Sequence, residues 1–446
     1  MKRSLFAALA ILMAALLCSC SGLNLNISEN LTPPKPSGEL YEIQKALEKS
    51  AGHNINLVYP SSGQYRSAII TKDIDSDGKP EVFSFYSTKT DDNSMVMHIN
   101  YIRWTENGWV SVSDLQVGAS GVESVEFANL DKNKVPKVIV NWSRYSAVDK
   151  LLSVYETTSG ILSELASANY SVYATTDFDS DGISDIVAFY LNQTTKTASA
   201  TLLTLGEKGF AAASSCKLDG EVTAYSEPIV SKLTNGTPAV FVDAEKSTGL
   251  ITEIVYMKDS SLVNAFDTSQ TSTPSNIKTL RASAVRSEDF NGDGYVDIPL
   301  AYKLPLTAGE TEADRVYMTE WNSFDGHVFT PIAHTVVNYN DGYYITVPDT
   351  WKNTFTITRK IDQRIRIVLR WDSEFEETGE EILRVQTVAL KEWKQNAQNY
   401  ENFFEITRTA EFAYIARMGN SALNPGSDYL KENFHIIGNN PSDINS

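Results

Sequence analysis

The chain has 446 residues, 42% of them hydrophobic, which is enough for two or three domains with a substantial core. It carries 56 acidic and 38 basic residues, for a formal net charge of −18. Nucleic acids and anionic membrane surfaces attract basic proteins, so this balance argues against either as the main partner. It favours cations or basic surfaces of other proteins.

The N-terminal residues predict export. Met1-Lys2-Arg3 is positively charged and precedes an apolar run from Leu5 to Leu17, which is shorter than a permanent membrane-spanning helix. The run ends in Leu17-Cys18-Ser19-Cys20, which resembles a bacterial lipobox. The resemblance implies removal of a signal peptide, residues 1–19, and diacylation of Cys20. The lipid would then anchor the protein to the outer, extracytoplasmic face of a membrane of the bacterial cell envelope. An ordinary secretory signal with incidental cysteines is the alternative.

A spacer and a helix are predicted next. Residues 20–38 are polar and contain three prolines, which is typical of an extended tether. Leu40, Ile43 and Leu47 then follow one another at helical spacing, with Ser37 as a possible N-cap. We expect this helix to pack against the domain that follows.

A motif of ten residues recurs five times, starting at residues 73, 129, 177, 231 and 289, with a mean spacing of 54 residues. Runs rich in β-branched and aromatic residues flank the copies, such as YRSAIIT and EVFSFYS around the first and LRASAVRSE and DIPLAYK around the fifth. About four such strands fit into each repeat. Residues 39–336 are therefore predicted to hold the short helix and a mainly β domain, a β-propeller of about five four-stranded blades. A sixth blade built from His334 to Pro348 is an alternative.

Three of the copies combine a glycine at position 6 with oxygen ligands at positions 1, 3, 5, 7 and 9. Calcium binds about six to eight oxygens, and a loop of this pattern can wrap around it. The predicted ligands, with position 7 contributing its backbone carbonyl, are Asp73, Asp75, Asp77, Lys79 and Glu81 in loop one; Asp177, Asp179, Asp181, Ile183 and Asp185 in loop three; and Asp289, Asn291, Asp293, Tyr295 and Asp297 in loop five. The alternative is an acidic hairpin turn that binds no ion.

These loops are not EF-hands. An EF-hand has Glu at position 12 and flanking helices, whereas position 12 here is Ser84, Ala188 or Leu300 and the flanks are strands. The loops resemble the FG-GAP or VCBS-type repeat, the calcium-loop blade of integrin-alpha-like propellers, over roughly residues 55 to 335. The resemblance implies about three calcium ions with a structural role.

The second and fourth copies depart from the pattern. The second has Lys134 in place of the glycine and Lys137 in place of the last carboxylate, and the fourth has Leu233 and Ala239 at ligand positions. We predict that both blades lack metal, with the Lys137 ammonium standing in for part of the ion's charge.

The repeat period ends before the last hundred residues. Residues 337–446 contain alternating strand-like runs, with helical pieces around Lys391–Gln398 and Asp428–Asn433. This pattern predicts a small α+β domain. Its GYYITVPDTWK segment is similar to a module of uncharacterised clostridial lipoproteins, which implies no activity.

The sequence contains none of the common hydrolase or nucleotide-binding motifs. Its five histidines are scattered, and we interpret Cys216 as a small strand residue. We therefore expect a non-enzymatic, calcium-stabilised module at the cell surface that binds an extracellular protein or glycan, and no nucleic acid. The alternative is an extracellular carbohydrate-active enzyme or its substrate-binding subunit, because carboxylates and aromatic residues are abundant.

Overall fold

The computed structural model describes residues 38–90, 94–132, 135–144, 150–157, 160–178, 181–206, 209–266 and 275–437. The signal peptide, Cys20 and the predicted N-cap Ser37 lie outside these residues. Within the described part of the chain, no helix is both long and apolar enough to cross a membrane.

The predicted N-terminal helix is present as α1 (Glu39–Ala51), with Gly38 at its N-cap and no side-chain cap hydrogen bond. Ile43 and Leu47 are buried as expected, but Leu40 is 46% exposed, so the expectation that it packs inward is wrong. The buried side of the helix uses Ala46 instead. This side of α1 packs on Val82 and other residues of the first sheet. The apolar stripe of the helix is therefore narrower than the sequence spacing suggested.

Six antiparallel sheets follow in the described residues, and the first four succeed one another in chain order. We call the first five blades 1 to 5 and the last the C-terminal sheet. Blade 1 consists of β1 (Asn56–Leu57), β2 (Ile69–Lys72), β3 (Glu81–Lys89), β4 (Met95–Thr105) and β5 (Gly108–Val117). Blade 2 consists of β6 (Gly121–Ala128), β7 (Lys137–Ser143), β8 (Lys150–Glu156) and β9 (Ser163–Tyr170). Blade 3 consists of β10 (Val172–Thr176), β11 (Asp185–Asn192), β12 (Thr197–Gly206) and β13 (Gly209–Leu218).

The later sheets are built less regularly. Blade 4 consists of β14 (Ala224–Tyr225), β15 (Ile229–Lys232), β16 (Pro238–Lys246), β17 (Gly249–Lys258) and β18 (Ser261–Asn264). Blade 5 begins with β19 (Ile298–Lys303), β20 (Tyr317–Phe324), β21 (Phe329–Asn338) and β22 (Tyr343–Thr346). The C-terminal sheet consists of β23 (Phe355–Lys360), β24 (Ile365–Asp372), β25 (Glu377–Ala389), β26 (Phe404–Arg408) and β27 (Phe412–Met418).

Two helices and one strand complete the fold. Helix α2 (Leu390–Asn396) and helix α3 (Ser427–Asn433) match the two helical pieces predicted for the C-terminal region. Strand β28 (Phe434–Ile436) then returns to pair with β22 as the outermost strand of blade 5. Short 3-10 helices cover Ser275–Thr279, Glu312–Asp314, Asp349–Trp351, Ile361–Gln363 and Ala397–Asn399.

Each sheet packs on the next through its own hydrophobic cluster, which is the arrangement of β-propeller blades. Alternation along β3 shows why: Phe83 and Phe85 face blade 2, while Val82 and Tyr86 face α1. Both faces of the strand are therefore covered, so its sequence is almost continuously apolar. A further cluster joins blade 5 to the C-terminal sheet through residues such as Val336 and Leu383.

Three expectations differ from the structure in this region. The LRASAVRSE run forms no regular strand and makes only isolated bridges, Leu250 with Arg281 and Glu288 with Asp297. The segment from His334 to Pro348 does not open a sixth blade, because its strands β21 and β22 belong to blade 5. The boundary expected after residue 336 consequently falls inside β21, and blade 5 continues into the region assigned to the α+β domain.

Candidate calcium loops and an adjoining cleft

Two of the acidic loops join neighbouring strands of a blade, loop one between β2 and β3 and loop three between β10 and β11. Loop five leads into β19. The glycine at position 6 has a positive φ in all three, at 82° for Gly78, 86° for Gly182 and 88° for Gly294. A side chain at these positions would strain the turn, so glycine is the residue that lets the flanking carboxylates turn inward.

The three loops share two hydrogen bonds despite their different sequences. The carboxylate at position 1 accepts the backbone N–H of the glycine: Asp73 from Gly78 at 3.0 Å, Asp177 from Gly182 at 3.0 Å and Asp289 from Gly294 at 2.8 Å. The carboxylate at position 9 accepts the N–H of position 2: Glu81 from Ile74 at 3.1 Å, Asp185 from Phe178 at 2.9 Å and Asp297 from Phe290 at 3.1 Å. The backbone therefore fixes one oxygen of each carboxylate and orients the side chain.

Loop one brings three of its predicted ligands together. One oxygen each of Asp73, Asp75 and Glu81 lies within 4.8 Å of the others. Glu81 is 2% exposed, and burial raises the pKa of its carboxyl, with the nearby carboxylate of Asp75 adding to the rise. The Arg103 guanidinium lies 3.9 Å from both Asp75 and Glu81, so a fixed cation already borders this loop.

The other two predicted ligands of loop one, Asp77 and Lys79, are not part of this cluster of three carboxylates. Asp77 accepts the backbone N–H of Lys79 at 2.7 Å, which turns the Lys79 peptide into the loop's last bend. Loop three repeats this bond, from Ile183 to Asp181, at 2.8 Å. Asp185 in that loop is 1% exposed. Asp179, the predicted ligand at position 3 of loop three, lies outside the described residues.

Loop five contains a buried carboxylate oxygen without a protein partner. Asp297 is fully buried, and its Oδ1 has no hydrogen bond. Burial raises the pKa of Asp297 to about 7, and the carboxylates of Asp293 and Asp289 add to the rise. The Asp293 carboxylate accepts the N–H of Tyr295 at 2.9 Å, and Asn291 donates to it at 3.0 Å. A hard cation satisfies such an oxygen, so the donor set fits calcium, although its carboxylates do not converge as closely as those of loop one.

The second and fourth copies, which lack the full set of predicted ligands, differ from each other in structure. In the second copy Lys137 Nζ lies 2.6 Å from Asp131 and 3.3 Å from Glu156, and both Lys137 and Asp131 are buried. An ammonium group thus pairs with the carboxylate at position 3. In the fourth copy Leu233 and Ala239 are buried in the cluster between blades 4 and 5, so ligand positions have become core positions. Lys134 lies outside the described residues.

A cleft with a volume of about 780 Å³ lies between blade 4 and blade 5, beside loop five. Phe290, at position 2 of that loop, stacks on Trp321 with ring centroids 4.5 Å apart, and Tyr344 lies 5.7 Å from Phe290. Trp321 donates its indole N–H to Thr335 at 3.1 Å. These side chains come from a loop and three different strands, which is why sequence reasoning missed them.

The same cleft has a polar side. It is lined by Ser226, Glu227, Arg286, Ser287 and Glu288, and Arg286 donates a hydrogen bond to Ser226. Asp243 also faces it, but its charge is balanced by buried Arg281 at 2.8 Å. Asp243 further accepts the backbone N–H of Ser287 at 2.8 Å, which holds this wall in place.

No protein-family model matches the sequence, and no curated protein sequence matches it either. Among solved structures, the chain is similar to the β-propeller domain of the Trilobed protease from Pyrococcus furiosus, with 10% identity over 73% of this chain and 90% of that one and a TM-score of 0.26. It is also similar to the periplasmic gluconolactonase of Pseudomonas aeruginosa, with 10% identity over 72% and 85% and a TM-score of 0.24. A third similar structure is an exo-β-1,3-galactanase from Phanerochaete chrysosporium, with 11% identity over 76% of this chain and 81% of that one and a TM-score of 0.25. Similarity at this level carries no argument about activity.

Proposed function

We propose that this chain is a lipid-anchored, extracytoplasmic binding module of a bacterial cell envelope, with calcium-stabilised blades and a protein or glycan partner. The observation that carries the proposal is the pair of buried carboxylates Glu81 and Asp297 at the last ligand position of their loops. A buried charge needs a compensating partner. Extracellular calcium modules work at dissociation constants of about 10⁻⁴–10⁻³ M, so calcium at millimolar levels outside the cell supplies that partner.

In this proposal the residues of the chain have separate roles. Calcium, when bound, supplies two positive charges to the acidic loops. Asp73, Asp177 and Asp289 orient the loop backbone through their glycine N–H groups. Glu81 and Asp297 bring a carboxylate from the base of the adjoining strand. The blades then present their loops and the cleft as a rigid surface for a partner.

Anchoring is tested at Cys20. Mass spectrometry of the membrane-bound protein should show a mature N-terminus at Cys20 that carries lipid. Cys20→Ala should release the protein from the membrane fraction, whereas the matched variant Cys18→Ala should remain bound. Release by Cys18→Ala alone, or an unmodified mature N-terminus, contradicts the anchor.

Binding is tested by pull-down from native cell envelopes. The Cys20→Ala chain should recover a partner in millimolar calcium and lose it after EGTA treatment. Recovery that is identical in EGTA would separate binding from the calcium loops and contradict this part of the proposal.

A carbohydrate-active enzyme is the second candidate, and the cleft is the observation that favours it. Two carboxylates, Glu227 and Glu288, line the cleft together with aromatic residues, and glycoside hydrolysis commonly uses a carboxylate pair. We expect no turnover of cell-wall or plant polysaccharides by the purified protein. Reproducible turnover that Glu227→Gln or Glu288→Gln abolishes would replace the binding module with an enzyme.

A further inference from the structure

Phe290, beside the cleft between blades 4 and 5, departs from a pattern that the first three copies of the loop keep. Position 2 of the repeated loop is buried in the first three copies, with Ile74 at 3%, Leu130 at 0% and Phe178 at 1% exposure. Each of these side chains fills the junction with a neighbouring sheet. Phe290 has the same position in loop five but is only half-buried, because its ring faces the cleft. Phe290 therefore borders an open space, whereas the side chains at the same position in the first three copies are enclosed between sheets.

The aromatic side chains that line the cleft are fixed by contacts with other residues. Trp321 is 2% exposed and bonded to Thr335, and Phe290 is tied through its own N–H to Asp297. Tyr344 stacks on His435 at 4.8 Å. At the rim, Tyr339 is 52% exposed. A ligand entering the cleft meets flat apolar surfaces whose positions are already set, which lowers the entropy cost of binding.

The charges of the cleft select among ligand classes. Asp243 is neutralised by Arg281, and Asp289 belongs to loop five. The polar wall also carries Glu227, Glu288 and Arg286, so carboxylates outnumber the one guanidinium. This balance disfavours phosphate, sulfate or uronate groups, since two carboxylates would repel them. Hydroxyl groups suit it well, because they donate to carboxylates and accept from guanidinium.

We propose that this cleft binds a neutral oligosaccharide. A sugar ring has an apolar C–H face, which matches the faces of Phe290, Tyr344 and Tyr339, and a rim of hydroxyls, which matches Glu227 and Arg286 opposite. The cavity volume lies in the range of small-molecule sites, ~300–1,000 Å³. The inference rests on the proposed function as an extracellular binding module and names its ligand class and its site.

The experiment is a calorimetric titration of the full-length Cys20→Ala chain, which needs no glycosidic detergent. Five oligosaccharides are titrated separately in about 2 mM calcium: cellohexaose, xylohexaose, mannohexaose, maltohexaose and chitohexaose. Each is used at roughly 10 mM, about ten times the millimolar dissociation constant of a weak site. At least one should bind with a dissociation constant below about 1 mM. Tyr339→Ser and Glu227→Gln should each weaken that binding about two- to tenfold, the effect of one aromatic face or one charged hydrogen bond.

The matched control is Tyr59→Ser, which removes an exposed tyrosine, 61% accessible, from the chain next to blade 1. It should leave the affinity unchanged. Folded protein that binds none of the five oligosaccharides overturns the proposal, as does binding that Tyr339→Ser and Glu227→Gln leave intact. A pull-down partner of protein nature that is lost in Tyr339→Ser, with no oligosaccharide bound, would also overturn the ligand class while leaving the binding module in place.

Discussion

Asp297 offers the most direct test of the calcium loops, because Asp297→Asn changes one charge and almost no volume. The asparagine oxygen can still accept the N–H of Phe290, so the loop keeps its backbone bond. The substitution removes the negative charge that the fully buried side chain carries. It also replaces Oδ1, which has no protein partner, with an amide nitrogen.

The expected gain without calcium follows from burial. The rise of the Asp297 pKa from 3.8 to about 7 corresponds to roughly 4 kcal/mol of cost for the ionised form at pH 8. The new buried amide N–H lacks an acceptor, which costs about 1–3 kcal/mol. In EGTA at pH 8 the variant should therefore be about 1–3 kcal/mol more stable than the wild type. Because the native pKa is raised, the wild-type cost falls as the pH drops below 7 and is lost near pH 4, so the difference should shrink, change sign, and leave the variant about 1–3 kcal/mol less stable than the wild type near pH 4.

Calcium should narrow the difference in the free energy of unfolding between Asp297→Asn and the wild type. At about 1 mM calcium and a dissociation constant of ~0.1–1 mM, each occupied site adds about 0.4–1.4 kcal/mol to the free energy of unfolding. Three loops give the wild type about 1–4 kcal/mol in all, and the variant should lack the share of loop five. Urea unfolding followed by tryptophan fluorescence, with and without EGTA, measures both quantities.

The matched control is Asp131→Asn in the second copy, where Lys137 pairs with the carboxylate. This variant should lose stability equally in calcium and in EGTA, because it removes an ion pair and no calcium ligand. If Asp297→Asn is less stable than the wild type in EGTA at pH 8, the protein already compensates that charge. If its calcium increment equals that of the wild type, the cation does not use Asp297. Either outcome refutes the reasoning.

Three further predictions concern other charges and the core. Lys137→Met should cost about 3–5 kcal/mol in urea unfolding, because buried Asp131 and the nearby Glu156 lose their shared cation; a loss below about 1 kcal/mol would show that solvent already screens these carboxylates. Arg103→Gln should raise the calcium affinity of loop one about fivefold by calorimetry, since it removes roughly 1 kcal/mol of repulsion; weaker binding would show that Arg103 positions the loop. Leu47→Ala in α1 should cost about 2–5 kcal/mol because the side chain is fully buried, whereas Leu40→Ala should change the stability by no more than about 0.5 kcal/mol.

Local patterns in the sequence were sufficient for much of the fold. The repeat of 54 residues located each blade, because every repeat must supply its own strands and turns. Alternating runs located β23 to β27, and helical spacing located α1, α2 and α3. The glycines of the acidic loops were also identifiable, since a positive φ is a local requirement. In each loop the two carboxylates that accept backbone N–H groups, at positions 1 and 9, are also close in the sequence.

Long-range contacts decided the rest. The LRASAVRSE run reads as a strand, but buried Arg281 pairs with Asp243 of blade 4 and donates to the Val285 carbonyl, which takes those groups out of a regular ladder. Blade 5 is completed by β28, which pairs with β22 although about ninety residues separate them. No local pattern encodes either contact.

The cleft shows the same division most clearly. Phe178 and Phe290 occupy equivalent positions in two loops of the same pattern, and the sequence alone gives no reason to treat them differently. One is buried at the junction of blades 3 and 4, and the other is half-buried beside the cleft. The difference arises because burial depends on how a neighbouring sheet fills the space opposite a side chain. That neighbour is specified by residues far away in the chain, so only the tertiary structure decides which copy of the loop borders the cleft.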